Sequence, residues 1–183
     1  VQTMKRTQDR QTDRQTESGS RDVSGSEGCP FCQIANNQTD TEILLSDDEL
    51  VCFRDVKPGA THHYLVVSRR HIDNCKTLQG DNIPLVERMK KMGRSILEKN
   101  KVCDLDDVRM GFHLPPFSSV PHLHLHALAP ASKMNLKSQL RYGPQSHWFI
   151  TVSLPLSFIT AALYGGLRLS TKHNLLTFCS RLS

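Results

Sequence analysis

Residues 120–130 read VPHLHLHALAP, with His122, His124 and His126 at every second position of a short apolar run. A strand sends alternate side chains to opposite faces, so these three imidazoles share one face while Leu123, Leu125 and Ala127 share the other. The apolar face suits a core. The imidazoles then line a surface or cleft, about 6.5 to 7 Å apart and spanning roughly 13 Å, the scale of a phosphate and its flanking groups. Neutral imidazole is a nucleophile, its protonated form clamps phosphate, and its pKa lies near neutral pH. Attack on phosphorus needs one such ring, donors for the charge that develops, and a proton for the leaving group. Three aligned rings with nearby hydroxyls supply these without a metal. The rival reading is a metal site, because histidines at alternate strand positions also chelate zinc.

The elements that must position this row precede it. EILLSDDELVCFRDV holds two strand-like runs about an SDDE turn, and HHYLVVSRRH is a third. In DNIPLVERMKKMGRSILEKN the period changes. Leu85, Met89, Met92 and Ile96, reinforced by Val86, Gly93 and Leu97, recur at helical spacing, with Asp81 or Asn82 as N-cap and Pro84 tolerated in the first turn. The methionines read as core packing. VRMGFHL makes a further strand, separated from the histidine strand by the loop PPFSSVP. This order predicts an α+β domain over residues 28–150, an antiparallel five-stranded sheet with one long amphipathic helix.

Residues 1–27 are nearly devoid of apolar side chains and read as a disordered segment. Residues 151–183 read as a divergent apolar tail outside the core. Trp148 to Leu167 carries no charge and is long enough to span a bilayer. Pro155, Gly165, Gly166 and several hydroxyl residues lower its hydropathy, so a docked or unpacked tail is preferred to membrane association.

The 183 residues, 38% hydrophobic and 22% charged, suffice for one domain with a core, and the net charge is +5. Residues 29–150 hold fifteen basic and thirteen acidic groups, too even a balance for a nucleic-acid footprint, and no nucleic-acid partner is expected. The six cysteines are scattered and no N-terminal apolar stretch resembles a signal peptide, which predicts free thiols in a reducing compartment.

HLHLHAL matches His-x-His-x-His-x-x with apolar x. With SSV before it and FRDVKPGATHHYLVVSRRHI upstream, it resembles the Hint branch of the histidine triad superfamily, the purine nucleoside phosphoramidases, over about Cys29 to Thr151. The resemblance implies a HIT-like fold with a short helix beside the long one, a sheet extended across a homodimer or higher homo-oligomer, and location in cytoplasm and nucleus. It implies a purine nucleotide substrate and hydrolysis of the P–N bond of adenosine 5'-monophosphoramidates, or of aminoacyl adenylates, through a covalent nucleotidyl-histidine. The alternatives are a dinucleoside polyphosphate hydrolase or nucleotidyl transferase of the same superfamily, whose branches usually carry glutamine in place of Ser119, and a nucleotide-binding scaffold with little activity.

Carried over by residue, the resemblance makes His124 the nucleophile, His126 a phosphate contact, His122 a support of the strand, and His63 the fourth histidine, which connects to the nucleophile. His62 is incidental. Ser119 matches the serine that hydrogen-bonds the leaving group or phosphate. Asp55, with Val56 beside it, matches the acid that binds the ribose hydroxyls. Phe31 and Phe53 line the base pocket or belong to the core, and Phe117 and Ser118 join the nucleotide contacts. His113 joins the nucleotide contacts, standing where a nucleotide-binding asparagine is usual, and Pro115 and Pro116 replace glycine-rich residues in a shortened loop. No cofactor is required for catalysis. Some histidine triad proteins close a zinc site with residues matching Cys29, Cys32, His71 and His122, and two thiolates with two imidazoles suit structural zinc. Two unliganded cysteines are the alternative.

Overall fold

A computed structural model of the chain describes residues 28–144 and 146–152; the expected disordered segment 1–27 and all but two residues of the expected tail lie outside them. Three helices, α1 (Pro30–Ala35), α2 (Ile83–Lys99) and α3 (Leu136–Tyr142), accompany six strands: β1 (Leu45–Ser46), β2 (Leu50–Arg54), β3 (His62–Ser68), β4 (Arg109–His113), β5 (His124–Ala129) and β6 (Phe149–Thr151). The sheet is antiparallel in the order β1-β2-β3-β5-β4-β6.

The expected five strands are therefore joined by a sixth. β6 pairs Phe149 with His113 and Thr151 with Gly111 along the outer side of β4. Val152 donates its N–H to the Met110 carbonyl and is 1% exposed, so Thr151 and Val152 belong to the sheet and core rather than to the tail. Gly111 permits this pairing, because a Cβ there would sit on the Ile150 carbonyl and the Phe149 ring. Among the described residues the sheet ends at β1 and β6.

β2 and β3 are buried on both faces, which explains their continuous apolar runs. Leu50, Cys52, Tyr64, Val66, Leu125 and Ala127 face the α2 side, where Val86, Met89, Ile96 and Leu97 complete the main core. Gly93 lets α2 approach, since a Cβ there would lie 3.3 Å from that of Ala127. Val51, Phe53, Leu65 and Val67 face α1 through Phe31, Cys32 and Ala35. The SDDE turn is held by Asp47, whose carboxylate accepts the Glu49 and Leu50 N–H groups at 2.9 and 2.7 Å, and Arg88 of α2 pairs with Asp47, Asp48 and Glu49. The expected N-cap position Asn82 precedes α2, with Pro84 in its first turn.

Candidate active site

β5 begins at His124, one histidine later than expected. Alternation along it places Leu125 and Ala127 in the α2 core and His124 and His126 on the other side of the sheet, while Leu123 and His122, in the segment just before the strand, join the α2 core and the Phe31 side respectively. His124 Nδ1 lies 2.6 Å from the His122 carbonyl oxygen. A carbonyl only accepts, so Nδ1 carries the proton and Nε2 keeps the lone pair. Burial lowers the pKa of His124 from its ordinary value, which favours the uncharged ring. The edge of Phe31 packs against it at a centroid distance of 5.1 Å. A neutral imidazole with a fixed tautomer keeps the Nε2 lone pair that nucleophilic attack would require.

His63, His126 and His113 form a continuous hydrogen-bonded chain. The Gly59 N–H donates to His63 Nδ1 at 3.0 Å, and a peptide N–H can only donate. His63 must then carry its proton on Nε2, which lies 2.9 Å from His126 Nδ1 and 3.3 Å from Asp55 Oδ2. His126 therefore accepts at Nδ1 and donates from Nε2 to His113 Nδ1 at 3.0 Å. Burial drives His63 down to about 3, His113 to about 4 and His126 well below its ordinary value, so all three rings are neutral at pH 7. Burial also raises Asp55, whose other oxygen accepts the Lys57 N–H at 2.8 Å. Asp55, His63 and His126 lie close enough together to suggest a metal set. The Gly59 donor argues against it, because a metal on His63 Nε2 would need the proton moved to Nδ1, opposite another N–H.

The link expected from His63 to His124 runs through His126, whose ring centroid lies 5.0 Å from that of His124. His126 has both nitrogens engaged by protein, so contact with a phosphate requires one of those bonds to open. α3 completes the surroundings. Tyr142 packs against His63, His113 and His126 at centroid distances of 5.3, 5.2 and 5.3 Å, and the neighbouring Arg141, which no sequence pattern marks, places its Nε 3.5 Å from His113 Nε2.

His122 faces a second cluster. Its Nε2 donates to the Ser68 carbonyl at 2.7 Å, leaving the Nδ1 lone pair 3.3 and 3.5 Å from the sulfurs of Cys29 and Cys32. His71 presents Nδ1 3.2 Å from the Cys32 sulfur and Nε2 3.2 Å from Asp73. The four donor atoms lie within 4.8 Å of one another. Both imidazoles thus turn a lone pair inward while an outer acceptor orients the other nitrogen, the arrangement that serves a metal ligand. Burial, then Cys29, pushes the Cys32 thiol up to about 11, a cost that a bound dication would offset.

The other expected residues divide. Phe31 and Phe53 are buried against each other, 5.7 Å between centroids, as members of the core, with Phe31 also reaching His124. Val56 is 91% exposed beside Asp55. Phe117 is exposed and packs on Trp148 at 4.7 Å. Ser118 donates to the Val120 carbonyl, while Ser119 is exposed and makes no protein hydrogen bond among the described residues. His62 lies apart, 3.3 Å from the Tyr64 hydroxyl.

A two-sided sheet with a row of histidines on one face, an imidazole oriented by main chain and a buried histidine–carboxylate pair defines a histidine triad fold. The family model described as scavenger mRNA decapping enzyme C-term binding matches residues 28–142, and the chain belongs to that family, in the Hint branch of the histidine triad superfamily. It is 54% identical over 124 residues to adenosine 5'-monophosphoramidase HINT3 of Xenopus tropicalis, covering 67% of this chain and 81% of the relative. With its Mus musculus counterpart it shares 49% over 126 residues, 68% of this chain and 76% of the relative. A solved histidine triad protein from Clostridium difficile aligns with a TM-score of 0.51 at 29% identity, covering 55% of this chain and 88% of that one.

Proposed function

We propose that this chain hydrolyses the P–N bond of adenosine 5'-monophosphoramidates, with aminoacyl adenylates as further substrates, through a nucleotidyl-His124 intermediate. The observation that carries the reading is the His124 tautomer, with Nδ1–H on the His122 carbonyl and the lone pair on Nε2. The names of the relatives at 54% and 49% identity support the same activity. Nε2 attacks phosphorus and the P–N bond breaks; its electron pair goes to nitrogen, which takes a proton and departs as the amine. The ring keeps Nδ1–H and bears a positive charge facing the His122 carbonyl. Water then attacks the same phosphorus, the P–Nε2 pair returns to the ring, and AMP leaves. Ser119 hydrogen-bonds the leaving group from the loop before β5, and Asp55 accepts the ribose hydroxyls with its remaining lone pairs. His126 acts chiefly by fixing the chain that holds Asp55 and His63.

The sulfurs and imidazoles of Cys29, Cys32, His71 and His122 fit structural zinc, which would tie α1 to β3 and β5 and takes no part in the chemistry. A homodimer, and location in cytoplasm and nucleus, complete the proposal. The test is release of AMP from adenosine 5'-phosphoramidate, with rapid quenching and mass measurement of the adduct. His124→Ala is expected to abolish the adduct and lower turnover by at least about a hundredfold; unchanged turnover sinks the proposal.

A further inference from the structure

The histidine chain ends in an unmet donor. Because Gly59 fixes the proton on His63 Nε2, the polarity propagates through His126 and leaves His113 with its proton on Nε2. That nitrogen faces Arg141 Nε at 3.5 Å, and a guanidinium has only donors. Reversing the chain would merely bring two N–H groups together at 2.9 Å between His63 and His126, deep in the protein. Two donors, one on a residue only 5% exposed, thus face each other 3.5 Å apart with no acceptor on either among the described residues. Arg141 makes no salt bridge among the described residues, and its guanidinium lies 5.4 Å from the centre of the Tyr142 ring.

We propose that Arg141 and His113 form a subsite for an anionic group carried by the substrate's leaving group, making Arg141 a specificity-determining residue. This rests on the phosphoramidase reading. From the nucleophile, His126 follows at 5.0 Å between ring centroids, His113 at a further 4.7 Å, and Arg141 beyond it. Phosphorus sits at the near end of that series, so a guanidinium at the far end meets a substituent of phosphorus rather than its non-bridging oxygens. An adenosine moiety offers no second anion, which assigns the charge to the departing group. A carboxylate or another planar or tetrahedral oxyanion accepts from both an arginine and an imidazole N–H.

The experiment compares kcat/KM for AMP release from three substrates: adenosine 5'-phosphoramidate of a simple alkylamine, the same compound with glycine as the amine, and adenylyl sulfate. The quantity read is the ratio of each anionic substrate to the alkylamine. Arg141→Gln is expected to reduce that ratio by about tenfold or more, and Arg141→Lys, which keeps the charge without the fork, by less. Loss confined to the glycine or the sulfate compound identifies which oxyanion the subsite takes. A ratio that stays within about threefold of the wild type for both overturns the inference while leaving the phosphoramidase reading standing. A wild-type protein that releases AMP from none of the three overturns both. Because Arg141 is exposed, an unchanged thermal midpoint shows that the variants remain folded.

Discussion

Replacing His113 by Asn should make the protein markedly less sensitive to acid. In the folded state burial, with the charges of Arg141 and His124, lowers His113 from 6.5 to about 4. The unfolded chain then binds more protons than the native one between those values, so stability falls as pH drops below about 6.5 and the loss is complete near pH 4. The full shift corresponds to roughly 3 kcal/mol, of which a little over half is lost between pH 7 and pH 5, about 1.5 to 2 kcal/mol. His63 and His126 act in the same direction, and Asp55, raised by burial, acts in the opposite one. These groups and the Cys29–Cys32–His71–His122 cluster are common to both proteins, so the double difference reads residue 113 together with its coupling to His126. Asn is the residue usual at this position in the Hint pattern and retains hydrogen-bonding capacity toward His126. Urea unfolding followed by circular dichroism at pH 7 and pH 5 supplies the four free energies. If wild type and His113→Asn lose the same stability to within about 0.5 kcal/mol, His113 is not held neutral by its surroundings and the fixed proton order of the chain is wrong.

Gly111→Ala should detach β6, because its methyl group would lie 2.5 Å from the Phe149 ring and on the Ile150 carbonyl. A loss of about 2 to 4 kcal/mol is expected, with altered fluorescence of Trp148, the single tryptophan; an unchanged urea midpoint would refute the tight β4–β6 approach. On the zinc reading, purified protein carries about one zinc per chain, and Cys32→Ser should lose it and lower the thermal midpoint by several degrees. Elemental analysis of the purified wild type showing no zinc near one equivalent per chain would discard the zinc reading.

The histidine pair 124 and 126 was legible because strand alternation is a local rule and they must share a face wherever the strand lies; that β5 begins only at His124, leaving His122 in the approach to it, was not. The long helix was equally plain, its period set by Met89, Gly93, Ile96 and Leu97 against one sheet face. β6 was hidden because Phe149–Thr151 is too short to show a period, and only the free side of β4 makes it a strand. The link from His63 to His126 depends on register, Leu65 lying opposite His126, and such pairing across more than sixty residues leaves no trace in either segment. Arg141 follows Leu140 in a helix with no acidic partner nearby in sequence, so nothing local distinguished it from an ordinary surface cation.

His122 divides its two halves between two neighbourhoods. Its peptide oxygen orients the His124 ring, while its own ring meets the sulfurs of Cys29 and Cys32, at the cap and in the first turn of α1, the helix whose Phe31 leans on His124. A side-chain replacement at 122 therefore keeps the oxygen but loosens the anchor of the helix that walls the reacting ring. Kinetic loss in such a variant reports misalignment transmitted through α1 as much as any missing imidazole, and separating the two requires measuring the orientation of the His124 ring alongside its rate.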